Sequence, residues 1–174
     1  ELALRAVGRV PQATSALNAL IAGTYLRGGS RVARSDRAFN LAMPPRHREA
    51  EWAVPVAQAP GFVDELAALI QRARLRVNFP CELRFVRADD AWMSPAYGAD
   101  VCQIGVYQAE SADRAAYFAG AAAIADRREA RPHWGKELGL DPATIAARLP
   151  RARDFARLAA ELDPAAIFEN RFLV

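Results

Sequence analysis

Lysine is almost missing from this chain: of 23 basic residues only Lys136 is Lys, and the rest are Arg. Histidine and cysteine occur twice each. With His47 and His133 far from Cys81 and Cys102 and from each other, no metal-ligand spacing arises, and no metal is expected. Both cysteines sit in apolar, strand-like runs and are expected to be buried free thiols, which suits a reducing cytoplasm. No apolar run is long enough to span a bilayer; "AGAAAIA" (119–125) is short and bounded by charge. No signal-peptide pattern opens the sequence, which starts at Glu rather than Met and reads as a piece of a longer polypeptide. "RGGSR" lacks the spacing and strand–helix setting of a dinucleotide loop, and no nucleophile-elbow motif occurs.

Charge of one sign is also scarce. The formal net charge is +3, and Arg is interleaved with acid, as in "RARDFARLAAELD" (151–163). That pattern is a solvated helix face rather than a nucleic-acid stripe, and no aromatic platform is flanked by basic residues. Nucleic acid is not an expected partner.

What is present suits one domain, or one domain with a terminal excursion. The 174 residues are 52% hydrophobic, enough for a core. Helical spacing is read over 12–23, 61–74, 111–128 and 142–149, and in a last helix carrying Phe155, Leu158 and Leu162. The segment 28–36 reads as a loop. Strands are expected at 37–42, 49–56, 80–88 and 100–108, the first two joined by the Pro-rich turn "MPPRHR". In 49–56, Ala50, Trp52 and Val54 alternate with Glu49, Glu51 and Ala53, a half-buried pattern. Strands that alternate and are interspersed with helices predict an α+β fold with an antiparallel sheet.

Two segments stand out chemically. In "PCELRFV" the period of two puts Cys81, Leu83 and Phe85 on one face and Glu82 with Arg84 on the other. Carboxylate accepts and guanidinium donates, so such a pair on a rigid strand suits a ligand rich in hydroxyls; an ordinary solvent-facing pair is the plainer alternative. In "RPHWGK" (131–136), Pro132 and Gly135 fix the backbone, Trp134 gives a rigid plane, and His133 and Lys136 give polar tips. This content suits a pocket-lining loop, or else a capped turn packing one Trp on the core. His47, in a basic loop, is expected to be exposed and idle. Asp89 and Asp90 in "RADDAWMSPAYG" have no third ligand nearby, and a loop stabilised by Asp side chains is expected there.

The ordered pieces "EAEWAVP", "ELRFVRADDAWMSPAYG", "VCQIGVYQ", "RPHWGKELG" and "LDPAAIFENRFL" resemble the C-terminal half of FAD-dependent sugar-lactone and alditol oxidases. This is the aldonolactone oxidase group of the vanillyl-alcohol-oxidase flavoprotein superfamily. The resemblance implies a substrate-binding cap domain over about 1–137, a large antiparallel sheet with helices on one side. It implies a C-terminal helical tail, 138–174, packing on a flavin-binding domain absent from this chain. It further implies that Glu82, Arg84 and Lys136 act in catalysis, that Glu82, Arg84, Tyr107 and His133 hold the sugar lactone or polyol, and that His133 and Lys136 lie against the flavin.

The implied reaction passes hydride from a substrate C–H to FAD, itself bound mainly by the missing domain or chain. A nearby cation such as Lys136 or Arg84 would stabilise the negative charge the ring takes up. There a compact ammonium reaches one oxygen without a guanidinium's planar demand, which accounts for a single lysine in an Arg-rich chain. Two departures from the family pattern stand out, Tyr107 where the family often has His and Trp52 where Tyr is common, and the first bears on which substrate fits. The expected location is the cytoplasm, with any membrane association carried by the missing half. A non-catalytic α+β ligand-binding or regulatory module derived from the same fold is the alternative function.

Overall fold

A computed structural model of the chain describes residues 10–25, 30, 32–38, 46–109 and 113–168. Helices α1 (Thr14–Tyr25) and α2 (Ser35–Ala38) precede strand β1 (His47–Pro55). Then come α3 (Ala59–Arg72), β2 (Glu82–Val86), β3 (Val101–Ala109), α4 (Arg114–Arg127), β4 (Arg131–Pro132), α5 (Pro142–Arg148) and α6 (Ala152–Leu162). The four strands form one sheet in the order β2-β3-β1-β4, every pairing antiparallel. This is the α+β architecture predicted from alternation.

Three sequence expectations about strands and cysteines need correction. The strand read at 37–42 begins inside the one-turn helix α2, and its remainder lies outside the described residues. Cys102 is buried, but Cys81 is exposed just ahead of the edge strand β2. The run read as the loop "RPHWGK" contributes Arg131 and Pro132 to the sheet, paired with Ala53 and Trp52. Two residues are too few for periodicity to reveal, and Pro argues against a strand except at an edge, where β4 lies.

Register explains the burial. β1 and β3 pair from His47↔Ala109 to Pro55↔Val101, so Ala50, Trp52 and Val54 share a face with Val106, Ile104 and Cys102. On that face lie α3 and α4, which supply Phe62, Leu66, Tyr117, Phe118, Ala121 and Ile124 to a single core. Full burial of side chains such as Trp52, Phe62 and Ile104 stabilises by roughly 1.5–3 kcal/mol each.

Both sheet-covering helices end in the same way. Beyond α3, the amide of Leu75 donates to Ile70 and that of Arg74 to Gln71. Beyond α4, Ala130 donates to Ala125 and Glu129 to Asp126. Arg74 and Glu129 take positive φ (50° and 51°) at the turn, the arrangement that satisfies the last helical carbonyls and reverses the chain. After α3 the returning chain is clamped to β3. Buried Gln108 donates to the Arg76 carbonyl at 2.9 Å and accepts from the Asn78 amide at 3.1 Å, while Asn78 Oδ1 accepts from the Ala109 amide.

The C-terminal helices differ from each other. α5 starts at Pro142 behind Asp141, whose carboxylate accepts from the Thr144 amide, and it buries Ile145. Arg148 anchors its end to the Ala130 carbonyl at 3.0 Å. α6 buries nothing: Phe155, Leu158 and Leu162 form one stripe that is left exposed. No helix among the described residues is long and apolar enough to cross a membrane.

Candidate active site

The face of the sheet away from α3 and α4 carries the polar partners of each alternation. Pairing aligns Glu49 with Tyr107, Glu51 with Gly105, Glu82 with Gly105 and Arg84 with Gln103. Side chains from β1, β3 and β2 therefore stand side by side on rigid backbone. At one end of this face Ala53, Ala96, Val101 and Val86 make a small second apolar cluster. It lies under the loop 87–100, which is held as its Asp content predicts. Asp89 accepts from the Ala91 amide and the Ser94 hydroxyl, and Asp100 from the Ala88 amide.

The segment after β4 brings Lys136 to this face. His133 and Glu137 donate their amides to the Glu51 and Glu49 carbonyls, both at 2.9 Å, so the chain follows β1 past the end of β4. Between these bonds a turn closes from the Lys136 amide to the His133 carbonyl, and the His133 ring accepts from the Gly135 amide through Nδ1 at 3.0 Å. The Trp52 indole donates to the Leu138 carbonyl, and the Trp134 indole donates to that of Met93 in the loop 87–100. Gly139 (φ 65°) then passes so close to the core that a Cβ there would lie 2.9 Å from Ala122 Cβ.

Four of the predicted residues meet. Tyr107 donates its hydroxyl to Glu82 at 2.7 Å, and Lys136 Nζ lies 3.4 Å from the Tyr107 oxygen and 5.0 Å from its ring centre. Arg84 Nε is 3.6 Å from Glu82. His133 is the exception: its ring serves its own turn. Three further residues join that sequence spacing does not single out. Lys136 bonds to Glu49; Glu51 Oε2 lies 3.3 Å from Lys136 Nζ and accepts from Arg84 at 2.6 Å. His47 belongs to β1 rather than to an exposed basic loop. Its side chain is 11% exposed, 4.8 Å from the Phe79 ring, with Nε2 at 3.7 Å from Glu49. The signal that could have found the acids is the pair Glu49 and Glu51 two apart in "EAEWAVP", the same polar spacing as Glu82 and Arg84. Only the pairing of β1 with β3, and of β3 with β2, puts both pairs on one face.

Three carboxylates thus surround two cations and a phenol. Burial, and then the hydrogen bond to Glu82, push the Tyr107 pKa up to about 12, so it remains a neutral donor. Burial works against charge on Lys136, but the hydrogen bond to Glu49, with Tyr107 and Glu51 close by, more than reverses this and raises its pKa. Arg84 behaves likewise, its burial outweighed by Glu51 and Glu82. Exposure is graded across the cluster: Arg84 is 45% exposed, Lys136 14% and Glu51 1%. An open groove of about 450 Å³, lined by residues of 47–49 and 135–138, adjoins Lys136. The arrangement offers guanidinium N–H donors and carboxylate acceptors at its rim, with an ammonium below. It is chemistry that suits hydroxyls and a polarised oxygen.

Comparison with known proteins shows the family of the chain. The family model described as D-arabinono-1,4-lactone oxidase matches residues 1–174. The chain belongs to this family. It is 33% identical to an L-gulono-1,4-lactone dehydrogenase of Mycobacterium tuberculosis, over 94% of this chain and 38% of that protein. It is 33% identical to an L-gulonolactone oxidase of Scyliorhinus torazame, over 86% of this chain and 35% of the relative. An alditol oxidase of a Streptomyces species is 33% identical over 72% of this chain and 30% of its own length. The chain thus spans about a third of the length of the curated relatives it matches.

Proposed function

We propose that this chain is the substrate-binding part of an FAD-dependent oxidoreductase that oxidises a CH–OH group of a sugar lactone or polyol. The observation that carries this reading is the convergence of Glu82, Arg84, Tyr107 and Lys136 on the sheet face away from α3 and α4. The names of the relatives, lactone oxidase or dehydrogenase and alditol oxidase, support the reaction class. The flavin, when bound, supplies the hydride acceptor.

The chain's own residues do the rest. Glu82 accepts from substrate hydroxyls and Arg84 donates to them, the two together fixing which carbon faces the acceptor. Tyr107, protonated throughout the physiological range, walls the pocket beside Glu82. Lys136 keeps its proton and stabilises negative charge on an oxygen or ring edge brought to it, an effect worth a few kcal/mol where water is excluded (about 3). The donors present fit a flavin edge: Arg84 is partly exposed, and Lys136 borders the groove. His133, on the turn that carries Lys136, lies on the flavin side. The exposed stripe of Phe155, Leu158 and Leu162 on α6 is the surface through which residues 138–174 pack on the flavin-binding domain.

The deciding experiment uses the full-length protein that contains this chain. Its visible spectrum should show a bound flavin, bleached by D-arabinono-1,4-lactone, L-gulono-1,4-lactone or an alditol. Lys136→Met should slow that bleaching by orders of magnitude, about 10²-fold, with substrate still bound. A colourless protein, or bleaching at the wild-type rate in the variant, overturns the assignment.

A further inference from the structure

We propose that Glu51 is a positioning residue: one buried carboxylate oxygen holds Arg84 and Lys136 together and fixes where both cations meet the substrate. This rests on the function proposed above for what the cations do, while the contacts themselves stand on geometry alone. Glu51 Oε2 is 2.6 Å from Arg84 Nη2 and 3.3 Å from Lys136 Nζ. Glu49 pairs with Lys136 and Glu82 with Arg84, each at the partly exposed rim. Among the described residues Glu51 is thus the carboxylate that touches both.

Its main chain serves the same end, because the Glu51 carbonyl accepts from His133 and so anchors the turn that carries Lys136. One residue of β1 fixes both the backbone and the side chain of the lysine. Two cations on one face repel, and a shared acceptor between them offsets the repulsion. A carboxylate is otherwise a poor choice for this position. It is 1% exposed, and its other oxygen, Oε1, is buried without a hydrogen-bond partner among the described residues. Burial of this kind is costly unless both charges and geometry are used, and an apolar side chain would serve packing better.

The test uses the full-length protein with whatever flavin it holds. Lys136 is the sole lysine of residues 1–174, so its peptide gives a site-resolved reading of trace acetylation by acetic anhydride across pH. In Glu51→Gln, acetylation of Lys136 at pH 9 should rise about fivefold, the change expected when its pKa falls by somewhat under one unit. A folded variant with unchanged Lys136 reactivity overturns the proposal. If Glu51→Gln does not fold, Glu51→Asp gives the same reading, its shorter arm raising reactivity to a smaller degree. No change there is equally fatal.

Kinetics give the second reading. With L-gulono-1,4-lactone as substrate, Glu51→Gln should lower kcat/KM by about 10- to 100-fold. Combined with Lys136→Met it should lower kcat/KM by less than the product of the two single losses, because part of its effect runs through Lys136 and only the part that runs through Arg84 remains. Losses that multiply would overturn the proposal. A wild-type protein that oxidises neither lactones nor alditols would refute the proposed function instead, and the acetylation result would still decide the hold of Glu51 on Lys136.

Discussion

Tyr107 lies across Gly105, two residues back on the same face of β3, so closely that a Cβ at 105 would be 2.8 Å from the Tyr107 ring and from its hydroxyl. The glycine is the floor on which the phenol rests while it reaches Glu82. Gly105→Ala is therefore expected to leave the sheet intact and to turn Tyr107 away, since the atoms it meets are the far end of a movable side chain. A crystal structure of the variant in which Tyr107 still touches Glu82 would contradict this.

Tyr107→Phe keeps the ring on its glycine floor and removes the hydroxyl. The expected loss is about 1 kcal/mol of substrate binding, seen as a rise in KM of roughly fivefold with kcat changed less. The steady-state constants of the full-length enzyme check this, and a fall in kcat alone would place Tyr107 in the chemistry instead.

Gln108→Leu tests the clamp that returns the chain from α3 to the sheet. Removing the side chain strips partners from the Arg76 carbonyl and the Asn78 amide together, and Asn78 is itself buried. A destabilisation of about 2 kcal/mol is expected, measured by urea unfolding of the wild-type and variant proteins.

Acid should loosen Glu65 from its two arginines. Hydrogen bonds from Arg128 and then Arg127 lower its pKa from 4.5 to about 2. A lowered pKa means stability that is present above the unfolded value and lost as pH falls through the folded one. The melting temperature of Glu65→Gln should lie below that of the wild type at neutral pH, with the gap closing between about pH 4.5 and pH 2. A gap independent of pH would show that the pair with Arg127 and Arg128 contributes nothing.

The three longer strands and the helices that cover them are legible in the sequence because they obey simple periods, whereas the two-residue β4 and the one-turn α2 are too short to show one. Trp52 among alternating residues, and Phe62, Leu66, Leu69 and Ile70 at helical spacing, identify β1 and α3 from spacing alone. The candidate-site cluster is legible only in halves. Glu82 and Arg84 announce themselves two apart on a strand, and Lys136 by its rarity. Their meeting with Glu49 and Glu51 depends on strand order, which no local pattern encodes. His47 looks exposed because its neighbours are basic and Pro-rich, whereas its burial follows from pairing with Ala109 across the sheet. Burial of Glu51 is hidden for a related reason: composition predicts a solvated carboxylate, and only a shared pair of cations makes the interior tolerable.

The helices stop short of the strand that carries Glu82 and Arg84. β2 is the outer strand of the described sheet, and on its helix side Phe85 is 69% exposed and Leu83 44%. One row of its backbone amides and carbonyls faces away from β3, beside bare hydrophobic side chains. A strand in that condition is a template for its own kind. Residues 1–174 produced in isolation would therefore tend to dimerise or precipitate through β2, and the handling of such a sample would be governed by the back of the strand whose front carries Glu82 and Arg84.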